Sequence, residues 1–436
     1  MPIAPSIARE RSVASFYADL HADPAAVRVC RGTSCELAGA RGVFQSYAAR
    51  GPCRAVYCVG YCDRSPAALL PDGRVALGDP SVRSIHREDP PPLPAVRALG
   101  RVPLVSARVA RGDFSTLEAA RRDGAYSVLA RAVGRPREEI IDALERSGER
   151  GRGGGAFSTA AKWRAAARAT DPKRVVVANG DEGDPGSFVD RVLLEADPHA
   201  VLEGMVLCAH AIAAREGFVY VRSEYPLARA RISAAVAEAR AAGVLGPSVL
   251  GSGEPFEVSV VSGRGSYVCG EETALLNALE GRRGEVRLRP PYPAERGYAG
   301  RPAVVNNVEA LANVPIVLGM GAERYARLGT EACSGTKVLS LNAGFARPGL
   351  VEVEFGTPLR AVIEEAGGAA LAAVVLGGPM GSVLPTDPGT SRSATPRWRS
   401  ATSSSDTADS WRCRVSTRTR SVPSTRPRQS GCGDAR

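Results

Sequence analysis

At 436 residues the chain exceeds what one ordinary hydrophobic core supports, so about two to four domains are expected. Apolar residues make up 44% of it but never run to about eighteen in a row, which sets aside a membrane span. The opening MPIAPSIARERSVASFYADLHADP lacks the charged-then-apolar order of a secretory signal, so a cytoplasmic chain with no direct membrane insertion is expected. The net charge of +10 is no nucleic-acid signature: the last 51 residues hold ten Arg against four Asp, a surplus of six, and elsewhere no basic stripe interleaves with aromatics.

In chain order, residues 1–26 form a leader and residues 27–90 a small cysteine-bearing unit. Here Cys30 and Cys35 stand in a C-x4-C pair and Cys58 and Cys62 in a C-x3-C pair. In a cytoplasmic chain two close thiol pairs point to metal rather than disulfides, and the spacing alone suits an iron–sulfur cluster or zinc equally well. Cys53 is a spare thiol, and Cys208, Cys269 and Cys333 stand singly in contexts that suggest packing. Residues 91–112 continue a proline-rich stretch and read as an extended linker. The next unit, 113–333, alternates strand and helix patterns. PREEIIDALERSG is an amphipathic helix with Ile140, Ile141 and Leu144 on one face, RVVVANG a buried strand, GFVYV another, LARARISAAVAEARAAG a long helix, FEVSVVSG a third strand and EETALLNALEG a helix. This order predicts an α/β layer with much of its sheet parallel. Residues 334–385 read as a small α+β module. From Thr386 to Arg436 there is no Leu, Ile or Phe among many Ser, Thr, Arg and Pro, a composition that predicts disorder.

Two features of the central unit carry chemistry. RGRGGGAFSTAAKW puts four glycines before Phe157 and a lysine, Lys162, one turn into the following helix. Glycines let backbone N–H groups approach an anion, and Lys162 adds charge to the helix dipole, although a helix rather than a strand precedes the loop, unlike the usual dinucleotide fingerprint. NGDEGDPG then gathers Asp181, Glu182 and Asp184 at the C-terminal end of a strand, where open α/β sheets bind ligands. Glu271 and Glu272 open a helix behind Gly270, and Asn306 and Asn307 precede another; either pair would equally serve as helix caps.

Taken together, GRGGGAF, NGDEGDPGSFVDR, YVCGEETALLNALEG, RPPYPA and VVNNVEAL resemble, in order and spacing, the NADH-binding flavoprotein subunit shared by respiratory complex I, NAD-linked soluble hydrogenases and NAD-dependent formate dehydrogenases. The resemblance spans Asp123 to Leu318 and continues weakly to Pro385. It implies FMN and NAD(H) in one cleft of a Rossmann-like domain, with hydride passed from NADH to FMN and electrons then to iron–sulfur centres, in a chain that works with the other subunits of a dehydrogenase complex. By resemblance Gly151, Gly153, Lys162, Asn179, Asp181, Gly270, Glu271, Asn306 and Asn307 surround FMN. Phe157 and Tyr292 flank the adenine of NADH, and Asp184 and Glu272 lie near its polar groups. It also makes 27–90 similar to a thioredoxin-like [2Fe–2S] domain ligated by Cys30, Cys35, Cys58 and Cys62, with zinc as the alternative, and 334–385 β-grasp-like. The family's [4Fe–4S] ligands are not matched: after Pro385 only Cys413 and Cys432 occur, and the tail reads as a shifted reading frame or as a genuine disordered interaction segment. A catalytically decayed scaffold that only binds partner subunits is the alternative function.

Overall fold

The computed structural model describes residues 7–79, 84–88, 90–100, 103–368, 371–379 and 381–385; the tail from Thr386, with Cys413 and Cys432, lies outside the described residues. Among the described residues no helix is long and apolar enough to cross a membrane.

After helix α1 (Ile7–Phe16), the cysteine-bearing unit runs β1 (Val27–Cys30), α2 (Thr33–Leu37), α3 (Ala40–Ala48), β2 (Cys53–Val56), β3 (Ala67–Leu69), β4 (Val75–Asp79) and β5 (Ser84–Glu88). These strands form one sheet in the order β2-β1-β3-β4-β5, with β1 and β2 parallel and the remaining pairs antiparallel. Gly39, at φ +87°, lets the chain break between α2 and α3, and Val43 of α3 then packs with Val29 and Ala68 of the sheet.

The stretch expected to be a linker contributes strand β6 (Val96–Leu99). Past it come α4 (Leu117–Arg122), α5 (Ser127–Ala132), α6 (Arg137–Ser147) and α7 (Thr159–Arg168). The alternating core follows: β7 (Val175–Gly180), α8 (Val189–Ala196), α9 (Pro198–Ile212), β8 (Glu216–Val221), α10 (Pro226–Ala241), β9 (Glu257–Ser262), α11 (Glu272–Leu279), α12 (Pro293–Arg296), β10 (Ala303–Asn307), α13 (Val308–Met320) and α14 (Ala322–Ala326). The sheet order is β10-β7-β8-β9 and every pairing is parallel. Val175, Val176, Val177 and Ala178 are all buried, because β7 is covered on both faces and alternation gives way to a continuous apolar run. On one face Val176, Ala178 and Val219 join the core with Leu202 and Met205 of α9 and Leu311 and Val314 of α13. On the other, Val175, Val177 and Tyr220 meet Leu275 and Leu276 of α11 and Tyr17 from the supposed leader, whose hydroxyl donates to the Arg282 carbonyl at 2.6 Å. Helices α9 and α13 touch backbone to backbone at Gly204, where a Cβ would lie 2.0 Å from the Leu311 oxygen. That contact fixes α13 and the crevice residues at its start.

The C-terminal module begins with the two-residue strands β11 (Gly329–Thr330) and β12 (Cys333–Ser334), followed by β13 (Thr336–Leu341), β14 (Gly349–Glu354), α15 (Leu359–Glu365), β15 (Ala373–Leu376) and β16 (Ser382–Pro385). Its main sheet is β13-β14-β6, with β6 parallel to β14. Buried Glu352 ties the stretch after β6 to this sheet, accepting from the Val105 and Ser106 amides at 3.1 and 2.9 Å and from the Ser106 and Thr336 hydroxyls at 2.6 and 2.5 Å. The prolines report an extended backbone; whether that backbone finds a strand partner some 250 residues later is not a local property.

Candidate functional site

The sheet reverses direction between β7 and β10: β8 and β9 are added on one side of β7, and β10 returns to the other. Such a reversal leaves a crevice at the carboxyl ends of the two strands, the usual ligand position in an open α/β sheet. Here Asn179 of β7 pairs with Asn307 of β10, and Ala178 with Asn306.

The glycine loop closes over this point. Its neck is held by the Gly151 amide on the Phe157 carbonyl at 3.0 Å. A Cβ on Gly153 would meet the Asn307 side chain at 2.8 Å, and Gly154 adopts φ +103°, so the loop needs glycine for close approach and for backbone shape. Ser158 caps α7 through the Ala161 amide at 3.2 Å, which directs the first turn toward the crevice. From that turn the Lys162 ammonium donates to Glu272 Oε2 at 2.9 Å and to the Val305 carbonyl at 2.8 Å.

The acidic turn after β7 divides into two roles. Glu182 turns inward and accepts from the Asp190 and Arg191 amides at 3.0 and 2.9 Å and from the Ser187 hydroxyl at 2.8 Å, which makes it the anchor of α8. Asp181, 3% exposed, faces Gly270, whose added Cβ would lie 3.3 Å from Asp181 Oδ2. Burial pushes its carboxyl up to about 7, against the pull of the Arg222 guanidinium. Asp184 accepts from the Tyr267 hydroxyl at 2.5 Å.

Opposite, Glu271 accepts from the Thr273 and Ala274 amides at 2.8 and 2.9 Å through one oxygen and from Arg289 at 2.9 Å through the other. Arg289 also reaches Glu272 at 3.2 Å. Asn179 Nδ2 donates to the Gly270 carbonyl at 2.8 Å, joining the two walls. Asn306 accepts from the buried Trp163 indole at 2.9 Å. Asn307 caps α13 through the Glu309 amide at 3.0 Å and donates to Asp190 at 2.6 Å. The sequence candidates Gly151, Gly153, Lys162, Asn179, Asp181, Gly270, Glu271, Glu272, Asn306 and Asn307 therefore come from separate segments to one crevice. Phe157 and Tyr292 are 59% and 51% exposed, leaving both rings available for stacking. Tyr267, Arg289 and Arg152 join the site without a signal of their own in the sequence, except that Arg289 stands directly before the PPYPA stretch that contains Tyr292.

The N-terminal thiols also converge. Cys30, Cys35, Cys58 and Cys62 are all buried, with the Cys58 and Cys62 sulfurs 3.2 Å apart. Hydrogen bonding with Cys35 and Cys58 pushes the Cys30 thiol up, and the bond to Cys30 pulls Cys35 and Cys58 down. No group of three or more His, Cys, Asp or Glu disposed to hold a metal ion occurs among the described residues. The donor set is all sulfur, which suits a soft metal centre. Cys53 stands apart, with the Phe44 carbonyl 3.9 Å away.

A parallel sheet with a non-GxGxxG glycine loop, a lysine and carboxylates at its switch point defines a nucleotide-binding α/β protein. Residues 144–316 match the Nuo51 FMN-binding domain. The chain is 40% identical over 281 residues to an NADH-quinone oxidoreductase subunit of Aquifex aeolicus, covering 64% of this chain and 66% of that one. It is 44% identical over 264 residues to the NADP-reducing hydrogenase subunit HndC of Solidesulfovibrio fructosivorans, covering 59% and 54%. It thus spans less than two thirds of the length of either. A crystal structure of NAD+-reducing [NiFe]-hydrogenase in the air-oxidized state superposes with a TM-score of 0.73 at 32% identity, over 87% of this chain and 68% of that one. Over residues 144–316 the chain is thus similar to the Nuo51 FMN-binding domain.

Proposed function

We propose that this chain is the NADH-oxidising flavoprotein part of a multi-subunit dehydrogenase, with FMN in the switch-point crevice. The observation that carries the proposal is the glycine loop pressed against Asn307, where a Cβ on Gly153 has no room, with the Lys162 ammonium, in the helix that follows, held by Glu272; a phosphate at this point would meet loop amides and that cation. FMN, when bound, accepts a hydride from NADH and releases electrons singly. The chain's own residues position and insulate. Gly151, Gly153 and Lys162 hold the phosphate end; Asn179, Asp181, Gly270, Glu271, Asn306 and Asn307 set the floor and walls. Phe157 and Tyr292 offer faces to the adenine of NAD(H), with Asp184 and Glu272 toward its polar groups.

The same reading assigns [2Fe–2S] to Cys30, Cys35, Cys58 and Cys62 in a thioredoxin-like unit. That the relatives are named as subunits of a quinone oxidoreductase and a hydrogenase supports partner subunits of the complex I or hydrogenase type; the formate dehydrogenase type rests on the sequence resemblance alone. The test is flavin content and turnover. Reconstituted with FMN, the protein should reduce ferricyanide with NADH, and Lys162→Met should weaken FMN retention by about tenfold or more by removing the cation. A protein that takes up no FMN under these conditions is not a flavoprotein, and the scaffold alternative would replace this reading.

A further inference from the structure

Between the two glycines assigned to the phosphate, the side chain of Arg152 points inward. Its guanidinium is sealed against Glu149, Nη2 to Oε2 at 2.7 Å, and the two side chains are 1% and 0% exposed. The same Nη2 donates to the Tyr325 hydroxyl at 2.8 Å and to the Ser334 carbonyl at 3.2 Å, and the ring of Phe355 lies 4.8 Å from the guanidinium carbon. Tyr325 in turn donates to Glu149 at 2.6 Å. The packing leaves no slack: a Cβ on Gly335 would lie 2.1 Å from the Tyr325 hydroxyl, and one on Gly148 would lie 2.7 Å from Ser334 Oγ. Tyr325, Ser334 and Phe355 all fall beyond the matched FMN-binding segment of 144–316.

A buried ion pair adds little net stability over an apolar pair of the same shape, because both charges lose their hydration. What the guanidinium does supply is orientation: its Nη2 alone bridges three acceptors on separate segments, while the buried Nε has no partner. Arg152 follows Gly151 and precedes Gly153 and Gly154, so fixing it restrains the peptide planes of a loop that glycine otherwise leaves soft. We propose that Arg152 is a positioning residue for the flavin: clamped by Glu149, Tyr325 and Ser334, it holds the glycine loop from beneath with its amides turned to the phosphate. Flavin affinity thereby depends on the C-terminal module. The inference rests on the FMN reading above.

The test uses the full chain and FMN itself, following the quenching of flavin fluorescence on binding. Arg152→Met should raise the FMN dissociation constant by about tenfold or more. Turnover with NADH and ferricyanide should recover to within about twofold when FMN is added in excess, because the lost function is retention. Arg152→Met also leaves Glu149 buried without its countercharge, with the Tyr325 hydroxyl still donating to it, so the double variant Glu149→Gln/Arg152→Met keeps the test valid if the single one does not fold. The double variant should return the melting temperature toward that of the wild type while FMN binding stays weak. If it restores both, or if folded Arg152→Met binds FMN as the wild type does, the pair serves stability alone and the inference is overturned. Wild-type protein that fails to quench FMN in the same titration overturns the flavin reading itself, which separates the two failures.

Discussion

Asp181 joins burial to site chemistry in a single side chain. Its carboxyl is raised from an ordinary value near 3.8 to about 7, chiefly by burial. The folded protein therefore binds this proton more tightly than the unfolded chain does, and the resulting stability is fully present below about pH 4 and is lost as pH rises through about 7. Asp181→Asn removes this dependence, so the melting temperature of the variant relative to the wild type should climb by roughly a few degrees between pH 5 and pH 8. A gap that stays constant with pH would mean that Asp181 ionises normally. Gly153 gives a sharper result: Gly153→Asp drives a side chain into Asn307 and adds negative charge where a phosphate is proposed, so flavin should be lost from the purified protein. Full FMN occupancy in that variant would remove the loop from the site. Glycines and acidic turns were legible in the sequence because their roles are local. Arg152 was not, because nothing in RGRGGG says which way its side chain goes, and Tyr267 was not, because its partner Asp184 is 83 positions away.

Elements whose signal is periodic came through the sequence well. Helix α6 buries Ile140, Ile141 and Leu144 as its spacing requires, and β7 is the apolar run of a doubly covered strand. Strand β6 was hidden, since Val96–Leu99 looks like a connector until it pairs with Leu350–Val353. Phe16 and Tyr17 of the expected leader pack against the core of the parallel-sheet domain, an outcome of tertiary contact rather than of local pattern. The stretch after β6 is structural. Glu352→Ala strands the Val105 and Ser106 amides and two hydroxyls, and should cost about 2–4 kcal/mol, read as a drop of several degrees in melting temperature. An unchanged melting temperature would leave the stretch a mere tether.

At the scale of the molecule, the cysteine unit sits against both other units. Arg191 of α8 donates to the Gly60 carbonyl at 3.0 Å, a Cβ on Gly32 would lie 3.4 Å from Pro185 in the acidic turn, and the Ala343 amide donates to the Cys62 carbonyl at 2.8 Å. The four thiols therefore lie beside the turn that carries Asp184. Purified without oxygen, the chain should carry about two irons and two inorganic sulfides if the cysteines hold [2Fe–2S]; one zinc and no sulfide would assign them to the alternative centre. The most direct test of the whole account is an anaerobic titration of the FMN-reconstituted protein with NADH, read in the visible spectrum. If the switch-point crevice holds flavin and dinucleotide together, the flavin band bleaches in proportion to the NADH added. A flavin band that persists with NADH in excess would contradict the account.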